Sequence, residues 1–190
     1  TATVNLCKGA TATALAATVS NGLILQWYTT ETGGTASSTA PTPITTSVGT
    51  TKYYVSQKND TTGCESEREE ITVTVNALPS SPTVSDISYC EGETASALTA
   101  TAATDHSLLW YTAATGGTAS STAPTPIATS AGTTTYYVSQ VNDTTGCESD
   151  RAAIDVIVED ALTPPIVGNT VIQTFTTVGP TTWVVPSGVT

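Results

Sequence analysis

Bulky apolar residues in this chain recur at every second position over short stretches, and no heptads or long Ala/Leu/Glu/Lys runs interrupt them. Ile71, Val73 and Val75 alternate with Thr72 and Thr74, and Lys52 to Lys58 alternates in the same way. That period is expected of a sheet with one buried face. Ala12 to Thr18 and Leu23 to Thr29 read as strands around an Asn21-Gly22 turn. Thr32-Gly33-Gly34 marks the next turn. Ala36 to Gly49 is poor in bulky residues and holds Pro41 and Pro43, which suits an edge strand and loops. Six or seven short strands in residues 1–76 predict a two-sheet antiparallel sandwich.

The whole pattern occurs twice. Cys7, Trp27, Tyr28, Gly33, Tyr53, Tyr54 and Cys64 return as Cys90, Trp110, Tyr111, Gly116, Tyr136, Tyr137 and Cys147, always 83 residues later. Between Cys7 and Cys64, 41 of 58 positions are identical to their partners. The period is too long for a solenoid unit and fits a small independent domain. The expectation is therefore all-β: two tandem immunoglobulin-like modules at residues 1–76 and 84–160. Residues 77–83, with Pro79 and Pro82, read as a short stiff linker, and 161–170, with Pro164 and Pro165, as another. Residues 171–190 belong to neither copy. There Thr174 to Thr177 and Thr181 to Val185 flank Gly179-Pro180 like the opening hairpin of a third, different module. Thr1 already stands inside a strand, so the chain reads as a segment of a longer protein.

Composition narrows the function classes. No stretch approaches the roughly 18 apolar residues of a membrane span. Five basic against sixteen acidic residues give −11, the wrong sign for a nucleic-acid binder. The charge is uneven: residues 1–76 carry −2, residues 84–158 carry −7, and Glu159 with Asp160 supply the rest. Such a shift between similar copies suits a spacer better than an electrostatic binding site. Threonine (43) and serine (18) make up about a third of the 190 residues, solubilising narrow modules in place of charge.

Modules of this size have small cores, and disulfides are a common supplement. One early and one late cysteine in each copy fit that need. Pairing Cys7 with Cys64 and Cys90 with Cys147 closes loops of 58 residues, each closure contributing ~4 kcal/mol on the chain-entropy argument. Two cysteines per module without a shared histidine make a poor metal site. Disulfides imply an oxidising compartment. Trp27 and Trp110 read as core residues, which turns Tyr28 and Tyr111 outward. Because Tyr53-Tyr54 ends ten residues before Cys64, that cysteine falls in a loop beyond the strand. The bridge is expected to tie the first strand to a loop near one pole.

Catalytic chemistry has little to work with. His106, the only histidine, replaces Leu23 of the first copy and reads as a turn residue. No nucleophile elbow lies near it. The loop Asn59-Asp60-Thr61-Thr62-Gly63-Cys64-Glu65 repeats unchanged at Asn142 to Glu148. Three readings stay open for it. It is a turn in which Asn and Asp bond the local backbone; a glycan acceptor, since Asn-Asp-Thr fits the N-linked sequon and Asp-Thr-Thr an O-linked signal, with Thr61 and Thr144 as candidates; or a calcium site using Asp60, Glu65, Asp143 and Glu148. No EF-hand spacing accompanies the last, and no other cofactor is expected.

Tyr89-Cys90-Glu91-Gly92, Leu109-Trp110-Tyr111, Thr115-Gly116-Gly117, Pro124-Thr125-Pro126, Thr134 to Gln140 and Gly146-Cys147-Glu148-Ser149 together resemble the immunoglobulin-like repeats of Bacteroidota cell-surface proteins. Copy one matches at Cys7, Leu25 to Tyr28, Thr32 to Gly34, Pro41 to Pro43 and Tyr53 to Gln57, and departs at Leu6-Cys7-Lys8. The resemblance covers residues 4–158. It implies a non-enzymatic stalk of a large secreted adhesin, of which giant gliding-motility adhesins of the SprB type are examples. The implied setting is the outer surface of the cell, after type IX secretion. The implied partners are neighbouring modules of the same chain, surface polysaccharide or the export and motility machinery, with no nucleic acid and no membrane insertion. The rival expectation is a carbohydrate-binding accessory module of a secreted enzyme, with Tyr28 and Tyr111 stacking on sugar rings.

Overall fold

Each copy of the repeat folds into four strands. They are β1 (Ala2–Cys7), β2 (Leu23–Tyr28), β3 (Gly49–Asn59) and β4 (Glu69–Asn76), then β5 (Ile87–Cys90), β6 (His106–Tyr111), β7 (Gly132–Asn142) and β8 (Ala152–Glu159). The structure, a computed structural model, describes residues 2–160 with 166–167 and 170–171. Those last residues form the paired strands β9 (Ile166–Val167) and β10 (Thr170–Val171). The hairpin expected between Thr174 and Val185 lies outside the described residues.

The two sheets have the same order, β1-β4-β3-β2 and β5-β8-β7-β6. β2, β3 and β4 run antiparallel, as their alternation predicts. The first strand does not: β1 lies parallel to β4, and β5 parallel to β8. A first strand that joins the last one from across the module is under no hairpin constraint, so its direction is set by packing rather than by a turn. The expected all-antiparallel pairing is corrected there.

Alternation places Ile71, Val73 and Val75 in one core beside Trp27, Leu15 and Val55. Ile154, Val156, Trp110, Leu98 and Val138 are their counterparts in the other. The layer opposite each sheet is built from extended segments rather than laddered strands. Ala12 to Thr18, expected as a strand, carries no strand assignment, yet Leu15 is buried. The reason lies in what it meets. The Leu15 N–H donates to the Pro41 carbonyl at 2.9 Å, but Pro41 and Pro43 have no N–H to return, so a ladder cannot propagate. Leu98 repeats the bond to Pro124. The Trp27–Ser37 and Trp110–Ser120 bridges complete the cover. Each module is thus an all-β sandwich of a four-stranded sheet and a loop-built second layer.

The Asn21-Gly22 turn forms as expected, with Gly22 at φ 80°. Its counterpart Asp105 holds φ 59° without being glycine. Aspartate tolerates this left-handed region because its short carboxylate can bond the local backbone.

Strand direction gives each module two distinct poles. β1 and β4 end together at Cys7 and Asn76, beside the start of β3 at Gly49. This is the first-strand pole. β3 then runs its whole length to Asn59, opposite Leu23, and the loop carrying Cys64 follows. This is the loop pole. In the second module Cys90 and Cys147 divide between the poles in the same way.

Candidate functional site: the joint between the modules

The poles decide the disulfide. Eleven residues of β3 at about 3.3 Å each separate Cys7 from the Cys64 loop by roughly 35 Å. A disulfide needs Cα atoms roughly 4.4–6.8 Å apart. The expected Cys7–Cys64 and Cys90–Cys147 pairs are therefore corrected: each would have to span its own module from pole to pole. The bond that forms is Cys7–Cys147, with Cα atoms 5.5 Å apart across 140 residues of sequence. It joins the first-strand pole of one module to the loop pole of the next. Cys64 and Cys90 are exposed free thiols at the two outer poles.

The linker takes part in the joint. The Gln140 Nε2 donates to the Ser80 carbonyl at 2.6 Å, and the Ser81 hydroxyl to the Asp150 carbonyl at 2.9 Å. Pro82 is buried. Comparison of the copies isolates what the joint covers: Cys147, Ser149 and Gln140 are buried, whereas Cys64 and Ser66 are exposed and Gln57 is half-buried.

The loop that presents Cys147 is held by side chains of β6 and β7. Glu148 accepts from the Tyr111 hydroxyl and the Ser139 hydroxyl, both at 2.6 Å. Ser149 and Gln140 exchange bonds, with the Gln140 N–H reaching the Ser149 hydroxyl at 3.1 Å and the Ser149 N–H the Gln140 carbonyl at 2.9 Å. Asn142 Oδ1 accepts the N–H groups of Thr144 and Thr145, an Asx turn. The guanidinium of Arg151 lies 3.3 Å from the Tyr111 ring centre.

The same framework stands around Cys64. Tyr28 and Ser56 donate to Glu65 at 2.5 Å each, Gln57 pairs with Ser66, and Asn59 Oδ1 caps Thr61 and Thr62. Arg68 lies 3.2 Å from the Tyr28 ring centre and donates to the Thr30 carbonyl. The hydroxyl donors Ser56 and Tyr28 hold the Glu65 carboxyl below its usual range. That hydrogen bond to Glu65, followed by burial, pushes the Tyr28 phenol up. For Tyr111, burial leads and the bond to Glu148 follows.

This geometry relocates several expected site residues. Tyr28 and Tyr111 are both 6% exposed under arginine, so neither is the outward stacking platform expected of it. Alternation does turn them away from the Trp face; the cysteine loop then covers them. Glu65 and Glu148, offered for calcium, use an oxygen to tie that loop down, and Asp143 accepts from the Ser107 hydroxyl at 2.7 Å. Among the described residues no group of three or more His, Cys, Asp or Glu could hold a metal. Thr61 and Thr144 are exposed at the loop tips. His106, expected in the turn, instead opens β6 just after it, opposite Asn142, with Nδ1 2.6 Å from the Thr104 carbonyl. Ser56, Gln57, Ser66 and Arg68 carry no expected role in the sequence, although Ser56 and Gln57 fall within the stretch that bears the family resemblance. The signal available for them was identity: these polar residues repeat as Ser139, Gln140, Ser149 and Arg151.

Fold and joint together define a tandem array of immunoglobulin-like β-sandwiches, and no helix among the described residues is long and apolar enough to cross a membrane. The chain belongs to the family described as Ig-like domain, CHU_C associated, which matches residues 1–77 and again 79–159. Among curated proteins none matches it. Similar solved structures include Sidekick-1 immunoglobulin domains 1–4 (14% identity, 84% of this chain and 49% of that one, TM-score 0.30). The chain thus spans about half the length of that structure. Others are the human mucin-like protocadherin EC1-2 (11% identity, 84% and 96%, TM-score 0.30) and Bacteroides ovatus SGBP-B in complex with a mixed-linkage heptasaccharide (16% identity, 82% and 43%, TM-score 0.29).

Proposed function

We propose that these modules are spacer repeats in the stalk of a large secreted cell-surface adhesin. They hold an adhesive region away from the cell and carry load, in gliding motility where the parent protein serves a motile cell. One observation carries the reading: a covalent bond that staples one module to the next, Cys7–Cys147. A bond placed across a joint fixes how modules follow one another, which a spacer needs and a self-contained binding domain does not. Its chemistry fits an oxidising, extracellular setting. Immunoglobulin-like folds typically serve structural and adhesive roles, although function rests on sites and not on the fold. The rival carbohydrate-binding reading loses its intended platform, because Tyr28 and Tyr111 are covered by Arg68 and Arg151.

The test is exchange in the parent protein. Replacing residues 1–160 by two unrelated sandwich modules of equal span should leave cell adhesion intact. Loss of adhesion after that exchange, together with glycan-array binding by the isolated chain, would overturn the spacer reading in favour of the carbohydrate module.

A further inference from the structure

We infer that Cys64 is a half-cystine of a further joint of the same kind, closed by a preceding module of this repeat. The inference rests on the spacer reading, in that it supposes modules placed in series. Three observations carry it. Cys64 is the 83-residue counterpart of Cys147, and Cys90 of Cys7, and those two counterparts are bonded to each other here. Cys64 stands exposed on the outer pole of the first module, where a preceding module would dock, and Cys90 on the outer pole of the second. Finally, the loop presenting Cys64 is already built as the bonded loop is, through Glu65, Ser66 and Asn59.

Gln57 is half-buried where Gln140 is buried beneath the linker. Its Oε1 accepts the Ser20 N–H at 2.8 Å, as that of Gln140 accepts the Ala103 N–H at 2.7 Å. Gln140 also donates to the linker carbonyl of Ser80. Among the described residues the Gln57 side-chain amide donates to no such carbonyl. A docked linker would supply it, and the docked module would bring its first-strand cysteine to Cys64.

Closure is a dithiol oxidation and needs an acceptor, here a small-molecule disulfide such as oxidised glutathione. The Cys90 thiolate of one module attacks it, forming a mixed disulfide and releasing one glutathione thiolate. The Cys64 thiolate of the next module then attacks the Cys90 sulfur and releases the second. The two protons lost by the cysteines end on the two glutathione thiols, and two electrons pass to the glutathione disulfide. With every joint closed, the shortest covalent route through a module runs between its own two cysteines, 58 residues in place of 83. The limiting extension per repeat falls by about a third.

The experiment extends the full chain at its N-terminus with a second copy of residues 1–159 followed by the linker 77–83, so that Cys90 of the added copy faces Cys64 of the full chain. After oxidation in a glutathione buffer and alkylation of free thiols, peptide mapping reads each bond. The expected result is a Cys90–Cys64 cross-link at the new joint, Cys7–Cys147 bonds in both copies, and alkylation only of the outermost Cys64 and Cys90. Closed Cys7–Cys147 bonds with both thiols of the new joint alkylated would overturn the inference, since folding and oxidation have then succeeded without it. Cys7–Cys64 or Cys90–Cys147 pairs would overturn it as well. Neither outcome bears on the exchange test of spacing, so the two readings fail separately.

Discussion

Reduction of the Cys7–Cys147 bond should change how far the chain can be stretched, by an amount the topology fixes. Under load applied at the two ends, the shortest covalent route enters at residue 1, crosses the disulfide at Cys7 and leaves from Cys147. The 140 residues of sequence that it bypasses amount to roughly 500 Å of contour at about 3.6 Å per residue. While the bond is intact, only the segments outside it can be drawn out: residues 1–6 on one side and residues 148–190 on the other. Together those yield roughly 180 Å at the same rise. Tweezers measurements with handles on the ends, before and after addition of a thiol reductant, give the difference directly. The expected outcome is a gain near 500 Å tied to cleavage of a single bond. Pairing within modules would bypass 57 residues twice, about 200 Å each, released in two separate events. Two such gains, or none, would refute the joint.

Other consequences follow from the same geometry. Cys7→Ser should lower the global stability of the oxidised chain by about 5 kcal/mol on the chain-entropy argument for a 140-residue closure. Denaturant titration would then resolve two transitions. Glu148→Ala strips the acceptor from Tyr111 and from the buried Ser139 hydroxyl, so a loss of about 3 kcal/mol in the second module is expected; Glu148→Gln, which retains an acceptor, should lose less. The Glu65 carboxyl is lowered from 4.5 in the folded state, so its contribution is full above that value and is lost as pH falls through the lower folded value. Acid unfolding of the first module should accordingly lose part of its pH dependence in Glu65→Gln. Tyr28 runs the other way: its phenol is raised above 10.0, so its contribution holds below that pH and disappears in stronger alkali, a step that Tyr28→Phe should remove.

Much of the sandwich was legible because burial on one face leaves a period of two in the residues. Ile71, Val73 and Val75 in β4, and Trp27 in β2, could be placed on the core face from alternation alone. Two elements were not legible in that way. The segment Ala12 to Thr18 has strand-like composition, but its neighbours across the layer are prolines, and a ladder depends on the partner's N–H groups as much as on its own. Tyr28 was assigned to the correct face and the wrong environment. Alternation says which side of a sheet a ring occupies, and nothing about the loop that later folds over it.

The 83-residue repeat and the all-β class were determined by the sequence by itself. They are local or periodic properties, written in which residue types recur and how far apart. The partner of each cysteine was decided only in three dimensions. Counting residues gives the length of a loop, while bonding depends on which pole each strand delivers its end to. Because β1 runs parallel to β4 and β3 spans the module between them and the loop, the two cysteines of one copy stand at opposite poles. Cys7 and Cys147 therefore each find a partner in the neighbouring module.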